Sequence, residues 1–199
     1  MGSYLNPGGG MFKVCLRSKI YVDKSGLIAK TNEVLGTEQR FVCVSRPRRF
    51  GKSMAANMLA AYYGRGGDSA ELFSALRIHT DKSFREHLNQ YDVIRINMQE
   101  FLSAAPDMDE MLKLLQKRIL RELKMQYPDY IDSDYLVFAM QDVFAYTRHP
   151  FVILIDEWDC LFREYKQDKE AQKKYLDFLR AWLKDKDYVA LAYMTGILP

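Results

Sequence analysis

The sequence predicts an α/β fold in three layers, with a mostly parallel sheet between helices, and three observations predict it. Short apolar runs with β-branched residues, Phe41-Val42-Cys43-Val44, Val93-Ile94-Arg95-Ile96 and Phe151-Val152-Ile153-Leu154-Ile155, read as strands. Between them lie longer stretches whose apolar residues recur at helical spacing. Glycine and proline punctuate the joins, at Gly64, Gly66-Gly67 and Pro128. Strands that alternate with helices in this way build a parallel sheet covered on both faces.

Taken in order, Asn6-Pro7-Gly8-Gly9-Gly10 is turn and coil composition, so residues 1–10 are expected as a flexible N-terminal segment. A mixed stretch ending in Lys19-Ile20-Tyr21-Val22-Asp23-Lys24 follows. Phe41 to Val44 is unbroken enough for a strand buried on both faces, and Ser53 to about Tyr63 reads as a helix stopped by Gly64. A strand is expected at Val93 to Met98. Met108, Leu112, Leu115, Ile119 and Leu123 then mark one helix face between Asp107 and Tyr127. A further helix spans Tyr135 to Tyr146. The most apolar run, Phe151 to Ile155, is expected as the central strand and ends abruptly in Asp156-Glu157. Ala171, Tyr175, Phe178, Leu179 and Trp182 make another helix face, and Tyr188 to Met194 a last strand before Thr195-Gly196.

Composition narrows the function. At 199 residues with 48% hydrophobic content, one domain over 1–199 is expected. Lysine and arginine number 29 against 26 aspartate and glutamate, and a net charge of +3 argues against a surface that coats nucleic acid. Three cysteines, Cys15, Cys43 and Cys160, cannot all pair and are not spaced as metal ligands. With no signal-peptide pattern and no membrane-length apolar run, a cytoplasmic protein without a membrane segment is expected.

The strongest local signal is Arg46-Pro47-Arg48-Arg49-Phe50-Gly51-Lys52-Ser53, set between an apolar strand and a helix. A phosphate-binding loop has the pattern G-x-x-x-x-G-K-[ST]; here Arg46 replaces the first glycine and the other three fixed positions are intact. Gly51 lets the backbone approach an anion, the helix start supplies free N–H groups, Lys52 brings a point charge, and Ser53 a hydroxyl suited to magnesium. Gly-Lys-Ser is also an ordinary helix start, and the strand before it is what favours the loop reading. Arg46, Arg48 and Arg49 read either as a solvated basic turn or as phosphate contacts, and their crowding beside Lys52 favours contact by at least one of them.

In open α/β sheets ligands gather at the carboxyl ends of strands, so Asp156 and Glu157 are expected on the same edge as the loop. Asp156 has the position of a magnesium holder and Glu157 that of a general base for water. Two carboxylates after a buried strand also mark where a chain meets solvent, but their order after the loop favours chemistry. For Asp159 a surface role and a functional one stand equal. Thr195 either places a hydroxyl near a terminal phosphate or simply ends a strand.

With these residues in view, the chain resembles the bacterial AAA-ATPase-like family of P-loop NTPases, related to signalling and archaeal-type ATPases. The matching stretches are Tyr21-Val22-Asp23-Lys24-Ser25-Gly26-Leu27-Ile28, Ser45 to Ser53, Ile155-Asp156-Glu157-Trp158-Asp159 and Met194-Thr195-Gly196-Ile197. The resemblance makes Arg46 the family's own version of the loop. It implies that Tyr21, Asp23 and Lys24 lie near the nucleotide base, and it makes Asp156, Glu157 and Thr195 the magnesium, catalytic and sensor positions. It also implies a loop strand between two others, one more strand after Thr195, and a C-terminal region similar to restriction-type nucleases. Neither the strand nor that region is seen, so the sequence is expected to be the N-terminal part of a longer protein, with a sheet edge open for pairing.

The functions that follow are magnesium-dependent hydrolysis of a nucleoside triphosphate, ATP by the resemblance, or a nucleotide-binding switch coupled to a partner or to the C-terminal region. A nucleic-acid contact by the arginine turn is the third reading, against which the net charge counts.

Overall fold

A computed structural model describes residues 2–198. In chain order its elements are α1 (Gly10–Leu16), α2 (Gly26–Asn32), β1 (Phe41–Ser45), α3 (Lys52–Tyr63), α4 (Phe84–His87), β2 (Asp92–Asn97), α5 (Met98–Ala104), α6 (Met108–Gln126), α7 (Leu136–Thr147), β3 (Phe151–Asp156), α8 (Cys160–Glu164), α9 (Lys169–Leu183) and β4 (Val189–Gly196). Short 3₁₀ turns at Ala70–Phe73 and Arg77–Thr80 connect α3 to α4.

The strands form one sheet in the order β1-β4-β3-β2, and every pair is parallel. Alternate residues of the strands serve two cores, because successive side chains leave a strand on opposite faces. Ile94, Ile96, Phe151, Ile153 and Ile155 face α5, α6, α7 and α9. Val93, Val152, Leu154, Leu191 and Tyr193 face α1, α2 and α3. The result is the expected three-layer sandwich, with β3 wholly buried between its neighbours. One irregularity lies in β4, where Phe151 pairs with Val189 and Val152 with Leu191, so the intervening Ala190 is extra. That extra residue puts Ala190 and Leu191 on the same face.

Helix starts have local causes. Asp107 accepts a hydrogen bond from the Glu110 N–H at the head of α6, and Asp168 one from the Ala171 N–H at the head of α9. The helix α3 is buried on nearly all sides, lying against α1 and across the sheet. Its Tyr62 and Tyr63 are satisfied inside the core: Tyr62 donates to the Phe84 carbonyl at 2.8 Å and Tyr63 to Asn32 Oδ1 at 2.7 Å.

Three expectations are corrected. Residues expected as a flexible N-terminal segment are tied down, since Leu5 is buried and bridges Ile94, while the Asn6 side chain bonds Asp92 and the Val93 N–H. Second, β1 is not covered on both faces: its residues alternate between exposed and half-buried, and Phe41 is 40% exposed. The cause is topological. Among the described residues β1 pairs only with β4, so the loop strand is an edge strand and not one flanked by two others. The third concerns the last strand, which runs through Thr195 and Gly196 where the sequence had put its end at Met194.

Burial sets an expected contrast in stability. Ile153→Ala removes side-chain volume from a fully buried central strand and should cost about 3 kcal/mol in urea unfolding, whereas Phe41→Ala at the exposed edge should cost less than about 1 kcal/mol. Equal losses at both positions would contradict the edge placement.

Candidate functional site

The carboxyl ends of β1, β3 and β4 converge on one edge of the sheet, and the loop after β1 wraps into α3 there. Gly51 takes a left-handed backbone, φ 77°, at the position just before the helix. A Cβ there would also come within 3.0 Å of Lys24 Nζ, so both strain and space favour glycine. No side chain caps the first turn of α3, leaving its N–H groups to the cleft. Arg49 is left-handed as well, at φ 68°.

Two lysines brace this loop through its carbonyls. Lys52 Nζ donates to the Arg46 and Pro47 carbonyls at 2.8 and 3.1 Å, and Lys24 Nζ donates to the Phe50 carbonyl at 2.7 Å. Among the described residues no carboxylate forms an ion pair with Lys24, Arg46, Arg48, Arg49 or Lys52. Five cations therefore gather around one turn without a protein counter-charge, an arrangement suited to a polyanion.

Arg48, Arg49, Gly51, Lys52 and Ser53 line a cleft of about 630 Å³, and Glu157 lines it with them. Asn97 and Gln99, at the join of β2 and α5, complete the lining with Arg163 and Glu164 of α8. Asn97 earns its place twice, since its side chain also caps α5 by accepting from the Gln99 N–H at 3.0 Å. Arg46 does not line the cleft; its N–H donates to the Gly196 carbonyl and extends the β1–β4 ladder.

Asp156 is buried at the end of β3. Its Oδ1 accepts from the Thr195 hydroxyl and from the Glu157 N–H, while Oδ2 is buried with no hydrogen-bond partner. A buried carboxylate oxygen without a donor is costly, and a cation is the partner that best offsets it. Ser53 is exposed to the cleft, and its hydroxyl has no hydrogen bond among the described residues. Ser53 lines the cleft and Asp156 does not, and both offer oxygen atoms of the kind magnesium takes. No group of three or more His, Cys, Asp or Glu residues clusters as a metal site among the described residues, so a cation held mainly by protein carboxylates and thiols is not what the fold offers.

Glu157 also has a left-handed backbone, φ 54°, an unusual conformation for a long side chain. Its carboxylate pairs with Arg163. The turn that carries it is stitched to the sheet: Trp158 N–H donates to the Thr195 carbonyl, and Tyr175 of α9 donates to the Trp158 carbonyl at 2.7 Å. Asp159, evenly balanced between surface and function in the sequence, is fully buried. Its Oδ2 accepts from the Ile197 and Leu198 N–H groups, both at 2.7 Å. Gly196 makes this possible, because a Cβ there would come within 2.8 Å of the Asp159 carboxyl carbon and of Trp158 Nε1.

Of the residues implied near the base, only Lys24 reaches the loop. Tyr21 packs edge-on against Phe12, and burial pushes its phenol up to about 12. Asp23 binds the Ser25 and Arg77 N–H groups. Burial acts to raise its pKa, but those hydrogen bonds prevail and hold it below the usual carboxylate value. Cys160 is buried beneath the turn, and burial raises its thiol to about 12, so it is inert at neutral pH. Arg163, Asn97 and Gln99 were missed in the sequence. Asn97 carried a signal in being the polar residue that ends an apolar strand, but Arg163 lies six residues past Glu157 in a stretch with no periodicity to place it.

Strand order, the braced loop after β1 and the acidic end of β3 define a sandwich of the P-loop NTPase kind. Residues 12–199 match the AAA-ATPase-like family model, described as a predicted AAA-ATPase, and the chain belongs to that family. No curated protein and no solved structure matches the chain.

Asp23 has a folded-state pKa below its unfolded one, so its stabilisation is present above the unfolded value near 4 and is lost as pH falls through the folded value. Asp23→Asn should lower stability modestly at pH 7, with the difference from wild type closing as pH falls through the titration of the folded carboxylate, read by urea unfolding across pH. A constant difference across that range would contradict the assignment of charge to these bonds.

Proposed function

We propose that the protein binds ATP through the loop after β1 and hydrolyses it with magnesium. The observation that carries this is the single cleft in which Arg48, Arg49, Gly51, Lys52 and Ser53 face Glu157, with the unpartnered Asp156 oxygen at the strand end beside it. The family to which the chain belongs supports ATP as the nucleotide.

The uncapped first turn of α3 and the loop backbone receive the β- and γ-phosphates, and Lys52 exchanges its carbonyl partners for phosphate oxygens. Arg48 and Arg49 add charge at the mouth, and Lys24 keeps the loop closed through the Phe50 carbonyl. Ser53 and Asp156 would hold the magnesium, which would supply positive charge to offset that of the phosphate oxygens. Glu157 takes a proton from a water as its oxygen attacks the γ-phosphorus in line, and the bond to the bridging oxygen breaks to release ADP. Thr195, through its bond to Asp156, fixes that carboxylate's orientation. Tyr21 and Asp23 support this site from outside the cleft, by packing on Phe12 and on the Arg77 backbone.

A second reading, a nucleotide-dependent switch with slow turnover, is favoured by the Glu157–Arg163 pair, which occupies the base. Coupling to a partner then runs through the exposed β1 edge, open to self-association or to a C-terminal nuclease-like region. No helix is long and apolar enough to cross a membrane among the described residues.

Lys52→Ala should weaken ATP binding in calorimetry by about tenfold or more, and equal binding by both proteins would defeat the proposal. Glu157→Gln should retain binding while phosphate release in steady state falls by about a hundredfold or more. Tight binding by wild type with no turnover would favour the switch.

A further inference from the structure

We propose that Arg163 has two partners in turn, the Glu157 carboxylate and the terminal phosphate of the nucleotide, so that arrival of that phosphate frees the general base. This inference rests on the reading of the cleft given above. It assigns to a residue of α8 both phosphate recognition and control of when Glu157 can act.

Arg163 lines the same cleft as Lys52 and Ser53. Its Nη2 pairs with Glu157 Oε2 and lies 3.7 Å from Asp159 Oδ1. The guanidinium is not saturated by these contacts, because Nε is buried with no hydrogen-bond partner. Arg163 is only partly exposed, at 18% of its side chain, so its charge is weakly screened. The fork of donors on a guanidinium suits a phosphate as well as a carboxylate, and a triphosphate carries far more charge than one glutamate.

The surroundings hold the two acids more firmly than the arginine. The backbone of Glu157 is fixed by its left-handed conformation and by the Trp158 turn stitched to Thr195, so the base stays at the cleft when the arginine leaves. Asp159 cannot follow either, since Oδ2 is bound to the Ile197 and Leu198 N–H groups. Arg163 has the longest side chain of the three and stands on a short helix, α8, of five residues. It is the member that can swing. Moving its Nη2 from Oε2 to a phosphate oxygen leaves Glu157 ready to accept a proton from water, with the positive charge now on the side where negative charge develops.

Titration calorimetry of ATP and ADP with magnesium separates this from a structural ion pair. Arg163→Ala should lose about tenfold or more in affinity for ATP and less than about twofold for ADP, because only ATP carries the terminal phosphate. Arg163→Lys, which keeps the charge and is less disruptive to folding, should recover part of the ATP affinity. Glu157→Gln should bind ATP several-fold tighter than wild type, since the arginine is no longer held. That gain should vanish in the double variant with Arg163→Ala. A gain of the same size in both backgrounds would mean that Glu157 simply repels phosphate, and would overturn the proposal. So would equal losses for ATP and ADP in Arg163→Ala. Wild type that binds neither nucleotide would instead overturn the reading of the cleft itself.

Discussion

A carboxylate without a full set of partners sits at the centre of this structure. Asp156 is buried at the end of the central strand, one oxygen held by the Thr195 hydroxyl and the Glu157 N–H, the other facing no donor. An orphaned carboxylate oxygen in such a place works against folding, and the chain tolerates it because its surroundings are over-determined. Parallel pairing aligns Ile155 with Met194 and Val44 with Thr195, so that β1, β3 and β4 end together. The buried Asp159 then fastens the segment after β4 to the turn after β3. Every other element of the site is placed relative to that rigid corner.

Two opposed electrostatic arrangements meet across the cleft. On the loop side, five cations are satisfied by carbonyls or solvent and by no acid among the described residues; on the α8 side, Glu157 and Arg163 neutralise each other. A polyanion entering between them gains from the first and competes for the second. In the proposed function the residues that receive phosphate would also gate the base, which links the ATPase reading and the switch reading to one side chain.

Much of the fold was legible because its strands are mostly apolar and its long helices carry clear faces, as at Leu115, Ile119 and Leu123 or at Tyr175, Phe178 and Trp182. The short helices α1, α2, α4, α5 and α8 were not, since one or two turns hold too few residues to show a period and are set by tertiary contacts. The exposure of β1 was misread for a related reason: an apolar run records β propensity but not whether a neighbour covers it. In the site, Gly51, Lys52, Ser53, Asp156 and Glu157 stood out through spacing. Asp159 and Arg163 did not, because their roles depend on contacts to residues 38 positions away and six positions away in a turn without regular structure.

The most direct test of the account is thermal unfolding of wild type and Asp156→Asn, each with and without ATP and magnesium. Asparagine keeps an acceptor for Thr195 and the Glu157 N–H while removing the buried charge, so the variant alone should be at least as stable as wild type. Magnesium with ATP should raise the melting temperature of wild type and leave that of the variant nearly unchanged. Equal upward shifts in both proteins would contradict the claim that this carboxylate is kept for a cation at the phosphates.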